Sequence, residues 1–193
     1  SDYLPLDHAQ ELDVDDIARL LHRIHRLPPR HHRLNLADRI LRYEKQLEHM
    51  DRMPGDELRQ HGEKVSRLLE DISRQPGESV LCHNDLLRAN RIYSGGKLWS
   101  IDWEYCAMAS PWYDIAVIVN GDSLPEHTTE ALLHSYLGRA PNDWERGTLY
   151  RYGCVYRYLE VLWYMALEKP ILDAPTIGQK LAELNSMLEK SAA

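Results

Sequence analysis

Apolar positions in the first third of the chain recur at helical spacing. Ile17, Leu20, Leu21 and Ile24 make one stripe, preceded by Asp13 as N-cap with Asp16 three positions on, and Pro28-Pro29 stop it. Asn35 caps a second predicted helix that runs through about Asp51, where Pro54-Gly55 break it. A third is expected from Asp56 to Ser73, with Leu58, Val65, Leu68, Leu69 and Ile72 inward, ended by Pro76-Gly77. The period then changes. "SVLC" reads as a short strand, and "RIYSGGKLWSID" as a hairpin with Ile92-Tyr93 and Leu98 to Ile101 as arms around Gly95-Gly96. After Pro111 the helical period returns near 112–120, 126–138, 142–168 and 174–190, whereas residues 1–12 read as a connector. The expected class is α+β, mostly helical, with one small β-hairpin insert.

Composition narrows the function. A chain of 193 residues, 44% hydrophobic and 27% charged, is enough for one domain with a sizeable core. Its formal net charge of −7 argues against a general binder of nucleic acid or anionic membranes, and would suit a cationic substrate. Cys82, Cys106 and Cys154 are odd in number and widely spaced, which reads as reduced thiols in a cytoplasmic protein. No apolar run approaches the roughly 20 residues of a membrane span. The opening "SDYLPLDHAQ" lacks the marks of a signal peptide and an initiator Met, as expected of a processed chain or an expressed piece.

The polar chemistry collects at the ends of the β insert. In "LCHNDLLRAN" a carboxylate, Asp85, stands just past a buried strand and Asn90 five residues later. Asn90 opens the hairpin and Asp102 closes it, so the two should lie side by side. An amide oxygen beside a carboxylate is a hard, oxygen-only pair that suits Mg²⁺ bridging phosphates. Asp85 is then placed to accept the proton of an attacking hydroxyl. That division of labour is what γ-phosphoryl transfer needs.

His83-Asn84-Asp85, four residues, then Asn90 fits the kinase catalytic-loop spacing HxDxxxxN. "IDWEY" (Ile101 to Tyr105) stands where protein kinases carry DFG, and Asp114 of "YDIA" follows Asp102 by twelve residues. Together these resemble the choline/ethanolamine kinase and aminoglycoside phosphotransferase superfamily, in its choline, LicA-type and thiamine kinase branch. The resemblance implies a protein-kinase-like C-terminal lobe over residues 13–193, with its catalytic loop at 83–90 and its metal motif at 101–105. It implies Asp85 as catalytic base, and Asn90 and Asp102 as Mg²⁺ ligands with Glu104 assisting through water. His83 would brace the loop from below, and Asp114 would accept hydrogen bonds from the loop backbone. ATP is the implied co-substrate and a small-molecule alcohol the acceptor, with no nucleic-acid or membrane partner.

Such a kinase also needs an N-terminal lobe, with a loop over the phosphates and a strand lysine. Neither is found: Gly95-Gly96 is in the hairpin turn, and no lysine lies in an apolar strand before an acidic helix. "SDYLPL" resembles the family's hinge, which makes Asp2, Tyr3 and Leu4 a remnant of the adenine site. "DDIARLLHRIHRLP" resembles the first C-lobe helix. The N-lobe is therefore expected to be absent from this chain and supplied by the same or another polypeptide, and the isolated chain to be nearly inactive.

In the late stretch "RYGCVYRYLEVLWYMALE", Tyr152, Tyr156, Glu160 and Trp163 share a helical face by spacing. Aromatics around a carboxylate suit a quaternary ammonium, and the same stripe would serve as core in a chain without Phe. Choline or ethanolamine is the first expectation for the acceptor, then thiamine, then amino sugars or aminoglycosides. His22 and His25 stand i, i+3 with no partner to complete a zinc site, so a solvated or packing role is expected. The rivals are a non-catalytic kinase-like binding domain, against which Asp85, Asn90 and Asp102 are all retained, and a metal-dependent phosphohydrolase, which wants more converging carboxylates and histidines.

Overall fold

A computed structural model describes residues 4–5, 13–52, 55–75 and 77–191. In chain order it contains β1 (Leu4–Pro5), α1 (Val14–His25), α2 (Leu36–His49), α3 (Gly55–Ser73), β2 (Val80–Cys82), a 3₁₀ turn (Arg88–Asn90), β3 (Arg91–Ser94) and β4 (Lys97–Ser100). These are followed by β5 (Ala107–Ala109), α4 (Pro111–Gly121), α5 (Glu126–Leu137), α6 (Asp143–Ala166) and α7 (Ala174–Ser191). The helical parts begin and end near the expected places, and the predicted caps are present. Asp13 accepts the backbone N–H groups of Asp15 and Asp16, and Asn35 that of Asp38. The hairpin is as expected, with each arm one residue longer at its N-terminal end, the first arm continuing to Ser94 and the second ending at Ser100 rather than Ile101.

Two elements escape the pattern of the sequence. β5 pairs antiparallel with β2, Leu81 facing Met108 and Cys82 facing Ala107. β1 pairs with β3, Leu4 opposite Tyr93, so the three-stranded sheet has the order β1-β3-β4. β5 is three residues long and β1 two, too short for a period to register.

The described residues group into two compact units. One comprises Ser1–Leu34 and Gly77–Leu149, the other Asn35–Pro76 and Tyr150–Ala193, and α6 passes from the first to the second in sequence. In the first, α1 buries Ile17, Ala18, Leu20, Leu21 and Ile24, and α4 buries Tyr113 through Ile118. A buried ion pair ties the hairpin to the end of α4: Arg91, 1% exposed, bonds Asp122. Burial lowers the pKa of Arg91, and Asp122 opposes that shift.

In the second unit Leu47, Leu58, Val65, Leu68, Val161, Leu162, Leu184 and Leu188 make the core. Leu69 and Ile72, expected inward, are only half-buried. Tyr158 donates to Glu44 at 2.7 Å, and Gly62 lies against this pair, where a Cβ would stand 2.7 Å from the phenol oxygen. Burial, then the Glu44 bond, raises the Tyr158 phenol far above its ordinary pKa. No disulfide joins the three cysteines, and among the described residues no helix is long and apolar enough to cross a membrane.

Candidate active site

The loop of interest leaves β2, whose Leu81 and Cys82 are buried. Past Cys82 the backbone turns sharply. Asn84 takes φ +64°, a left-handed conformation that Asn tolerates better than most residues. Its side-chain amide donates to the Tyr105 carbonyl at 3.0 Å and lies 3.4 Å from the carbonyls of Cys82 and Ala107. Asn84 therefore holds the start of the loop against β5.

Asp114, fully buried in the first turn of α4, holds the same stretch from the other side. Its Oδ2 accepts the His83 N–H at 2.9 Å and its Oδ1 the Asn84 N–H at 2.6 Å. His25 Nε2 stands 3.2 Å from Oδ2, and Tyr136 on α5 bonds the other ring nitrogen of His25 at 2.8 Å. Burial above all pushes the Tyr136 phenol well above its ordinary pKa, so it stands beside His25 as a neutral hydroxyl. The His25 side chain is only 5% exposed, which makes the packing role the one it fills. Ligand atoms of His25, Cys82 and Asp114 lie within 4.8 Å of one another. Both carboxylate oxygens already serve the loop backbone, and burial with the neighbouring Asp114 raises the Cys82 thiol out of the range of a thiolate ligand. The cluster positions the loop.

His83 is buried beneath the loop. Its Nε2 donates to the Ile101 carbonyl at 2.9 Å, and its ring lies 4.9 Å from Trp103. Because Ile101 precedes Asp102, this bond links the loop to the hairpin end. A second link is the Ile101 N–H, which donates to the Asn90 carbonyl at 3.0 Å. Asn90 and Ile101 thus make the last contact of the hairpin, and Asp102 is the next residue in the chain. Asp102 has φ +60° and is exposed, as is Glu104. Asp85 is half-buried, and the Asn90 amide donates to its carboxylate and its carbonyl, both at 2.8 Å.

That last contact bears on metal binding. A carboxylate only accepts, so the Asn90 NH₂ must face Asp85, and Oδ1 is the atom the amide can offer elsewhere. With the exposed Asp102 carboxylate the donor set is all oxygen, which fits a hard divalent cation such as Mg²⁺. Asn90 and Asp102 are the residues that would hold it, with Glu104 beyond.

On α6, Tyr152 and Tyr156 are buried, Trp163 is 38% exposed, and its ring meets that of Tyr164 at 5.0 Å. Glu160 bonds Arg157 at 3.0 Å and Lys180 of α7 at 3.1 Å. The Lys180 ammonium also lies 5.3 Å from the centre of the Tyr164 ring. The hinge positions Asp2 and Tyr3 fall outside the described residues, and of Leu4 only the backbone pairing in β1 is described.

Reading residues alone missed the His25–Asp114 contact and the Arg91–Asp122 pair. A signal for the first exists: His25 continues the buried 18, 21 line of α1 by i+4, a polar residue on an apolar face. For Arg91 there is none, since a charged residue opening an amphipathic strand normally faces solvent.

Comparison with known proteins identifies the family and the fold. A model described as the phosphotransferase enzyme family matches residues 3–150. Protein LicA of Haemophilus influenzae is 33% identical over 76 residues, 38% of this chain and 28% of that protein. Among solved structures, LicA in complex with AMP superposes with a TM-score of 0.79 at 22% identity, covering 93% of this chain and 62% of that one. Choline kinase LicA from Streptococcus pneumoniae gives 0.77 at 24% identity, covering 92% and 63%. The fold is the mostly helical one of these kinases, and the chain spans less than two thirds of each of these three proteins.

Proposed function

Because this chain belongs to the phosphotransferase enzyme family, we propose that its loop and hairpin end transfer the γ-phosphoryl group of ATP to the hydroxyl of a small cationic alcohol. The observation that carries the proposal is the junction at Asn90. One residue bonds the Asp85 carboxylate through its amide and the base of the metal motif through its carbonyl. In this reading one residue ties the proton acceptor to the hairpin end that leads into Asp102.

In this reading Asp85 orients the acceptor hydroxyl and takes its proton. Asn90 and Asp102 hold Mg²⁺, and Glu104 assists through water. Bound there, the ion supplies neutralisation of charge on the phosphate oxygens. His83 and Asp114 keep the loop in shape, and His25 with Tyr136 keeps Asp114 in place. The nucleotide also requires a phosphate clamp and an adenine site. These we assign to an N-lobe, in the same or another polypeptide, with Asp2, Tyr3 and Leu4 at the adenine edge. The AMP bound by a LicA structure favours an adenine nucleotide.

Choline or ethanolamine is the acceptor we favour, with thiamine second and amino sugars third. The support is the LicA relationship together with the Tyr156, Glu160, Trp163 face of α6. Lys180 tempers it: Glu160 is already neutralised by Arg157 and Lys180. A cationic acceptor meeting that carboxylate would have to displace the lysine ammonium from beside Tyr164.

The test is a panel of acceptors assayed with the full-length gene product, wild type and Trp163→Leu. Turnover of choline or ethanolamine with KM raised in the variant at unchanged melting temperature supports the reading. Turnover of amino sugars alone would replace the acceptor class. Nucleotide binding without transfer to any alcohol would favour the non-catalytic binding domain.

A further inference from the structure

From Ile17 to Leu34 the chain carries five arginines and four histidines and no acidic residue, in a protein of net charge −7. Charge is segregated along α1: Asp13, Asp15 and Asp16 at its start, Arg23 and Arg26 at its end. The loop that follows, Arg26 to Arg33, is exposed at every position.

Several arginines elsewhere in the chain are paired. Arg74, Arg91, Arg139, Arg146 and Arg157 all pair with carboxylates, as Arg19 does at the acidic start of α1. Among the described residues no ion pair joins Arg23, Arg26, Arg30 or Arg33 to an acid. Arg23 bonds the Leu98 carbonyl and lies 6.0 Å from the Trp99 ring centre, and Arg33 reaches Ser79, a neighbour of the exposed Glu78. Among the described residues Arg26 and Arg30 make no side-chain bond, and the charge of Arg26 is felt by His22. Its pKa is lowered first by burial and then by Arg26. A chain with acid to spare thus leaves four guanidinium groups of one exposed segment without a carboxylate partner among the described residues.

Between those charges the surface is apolar. Leu27 is 42% exposed at the tip, Pro28 and Pro29 follow it, and Trp99 beside Arg23 is 49% exposed. Arginines around an exposed leucine and tryptophan are the composition of a membrane-interface anchor. Between Arg26 and Arg30 stand only the aliphatic Leu27, Pro28 and Pro29, where a nucleic-acid strand would want a stacking face; exposed rings nearby are Trp99 beside Arg23 and His31-His32 past Arg30. The two prolines restrict the tip, so little order has to be acquired on docking. The acidic remainder does not cancel the patch at short range, because screening confines charge effects to about 8 Å at physiological salt.

We propose that the Arg23–Arg33 segment docks on the surface of an anionic bilayer, with Arg26 and Arg30 facing the headgroups and Leu27 entering the boundary with the acyl chains. The whole-chain charge argues against a general anionic-membrane binder, and this segment is the local exception to it. The proposal stands on the segment alone and does not depend on the acceptor.

The test is cosedimentation of this chain with vesicles of phosphatidylcholine alone, and with about a third of the lipid replaced by phosphatidylglycerol. Binding is expected to the mixed vesicles only, to be lost in high salt, to fall more than tenfold in Arg26→Glu/Arg30→Glu, and to fall severalfold in Leu27→Asp. All three positions are exposed, and a melting curve checks that each variant is folded. Equal partition to both vesicle types, or unchanged binding of the charge-reversal variant, overturns the proposal. Loss in Arg26→Glu/Arg30→Glu with none in Leu27→Asp, together with tight binding of single-stranded RNA, would overturn it in favour of a nucleic-acid partner.

Discussion

Asp114→Asn changes little in shape and is expected to loosen the catalytic loop. The carboxylate is fully buried and accepts the His83 and Asn84 N–H groups at 2.9 and 2.6 Å, with His25 Nε2 at 3.2 Å. An amide keeps one acceptor oxygen and turns an NH₂ toward the other donors. At least one buried N–H then loses its partner, at a cost of about 1–3 kcal/mol. The bond that survives loses its charge assistance, worth about 1 kcal/mol more. A total of about 2–4 kcal/mol is a large part of the roughly 5–15 kcal/mol that holds a domain together. Amide hydrogen exchange at His83 and Asn84, followed by NMR at constant pH, reads the effect directly. At about 1.4 kcal/mol per tenfold, opening at these amides should rise roughly thirtyfold to several hundredfold. Unchanged protection at both amides in a folded variant would refute the assignment of Asp114 as the loop's tether. Equal loss across β2, α1 and α4 would show instead that the carboxylate holds the whole unit.

Four further outcomes are expected. Gly62→Ala should destabilise the second unit by about 1–3 kcal/mol, since its Cβ would stand 2.7 Å from the Tyr158 phenol and 2.9 Å from Glu44; thermal melting with the Tyr158→Phe background as control checks it. Asp122→Ala leaves Arg91 buried and unpaired and should cost about 3–5 kcal/mol in chemical denaturation, far more than a surface pair such as Arg146–Glu130. The Tyr93 phenol is pushed up to about 12 by burial and then by its bond to Asp16. Its contribution to stability should be complete below the ordinary phenol pKa of about 10 and lost as pH rises through about 12; denaturation across that window should show a smaller loss in Tyr93→Phe. Lys180→Met should lower KM for a cationic alcohol severalfold if the ammonium stands in the acceptor's way, and leave it unchanged if Lys180 only packs on Tyr164.

Helices were legible in the sequence because their apolar stripes run over three or more turns and their caps at Asp13 and Asn35 are local. The hairpin was legible because Gly95-Gly96 and the flanking β-branched and aromatic residues act within a few positions. That the chain on either side of the hairpin meets at Asn90 and Ile101 followed from hairpin closure alone. Contacts set by distant packing left no local trace. β5 is held by three rungs to β2, 27 residues away from Ala107 to Val80, and by loop residues such as His32, whose carbonyl accepts the Met108 N–H. Arg91 looks like any exposed strand charge until Asp122 arrives from the end of α4. Glu160 illustrates the opposite difficulty: its partner Lys180 lies on another helix, and spacing along α6 could not reveal that the carboxylate is already neutralised.

The most direct test of the Asp85, Asn90 and Asp102 assignment is a Mg²⁺ titration of phosphoryl transfer in the full-length gene product, comparing Asp85→Asn with Asp102→Ala. Asp85→Asn should cut kcat by about a hundredfold or more at an unchanged Mg²⁺ requirement, because it removes the proton acceptor and leaves the ligands. Asp102→Ala should raise the Mg²⁺ requirement and the KM for ATP together. A shifted metal requirement in Asp85→Asn with none in Asp102→Ala would reverse the roles, and wild-type turnover in both variants would remove the site.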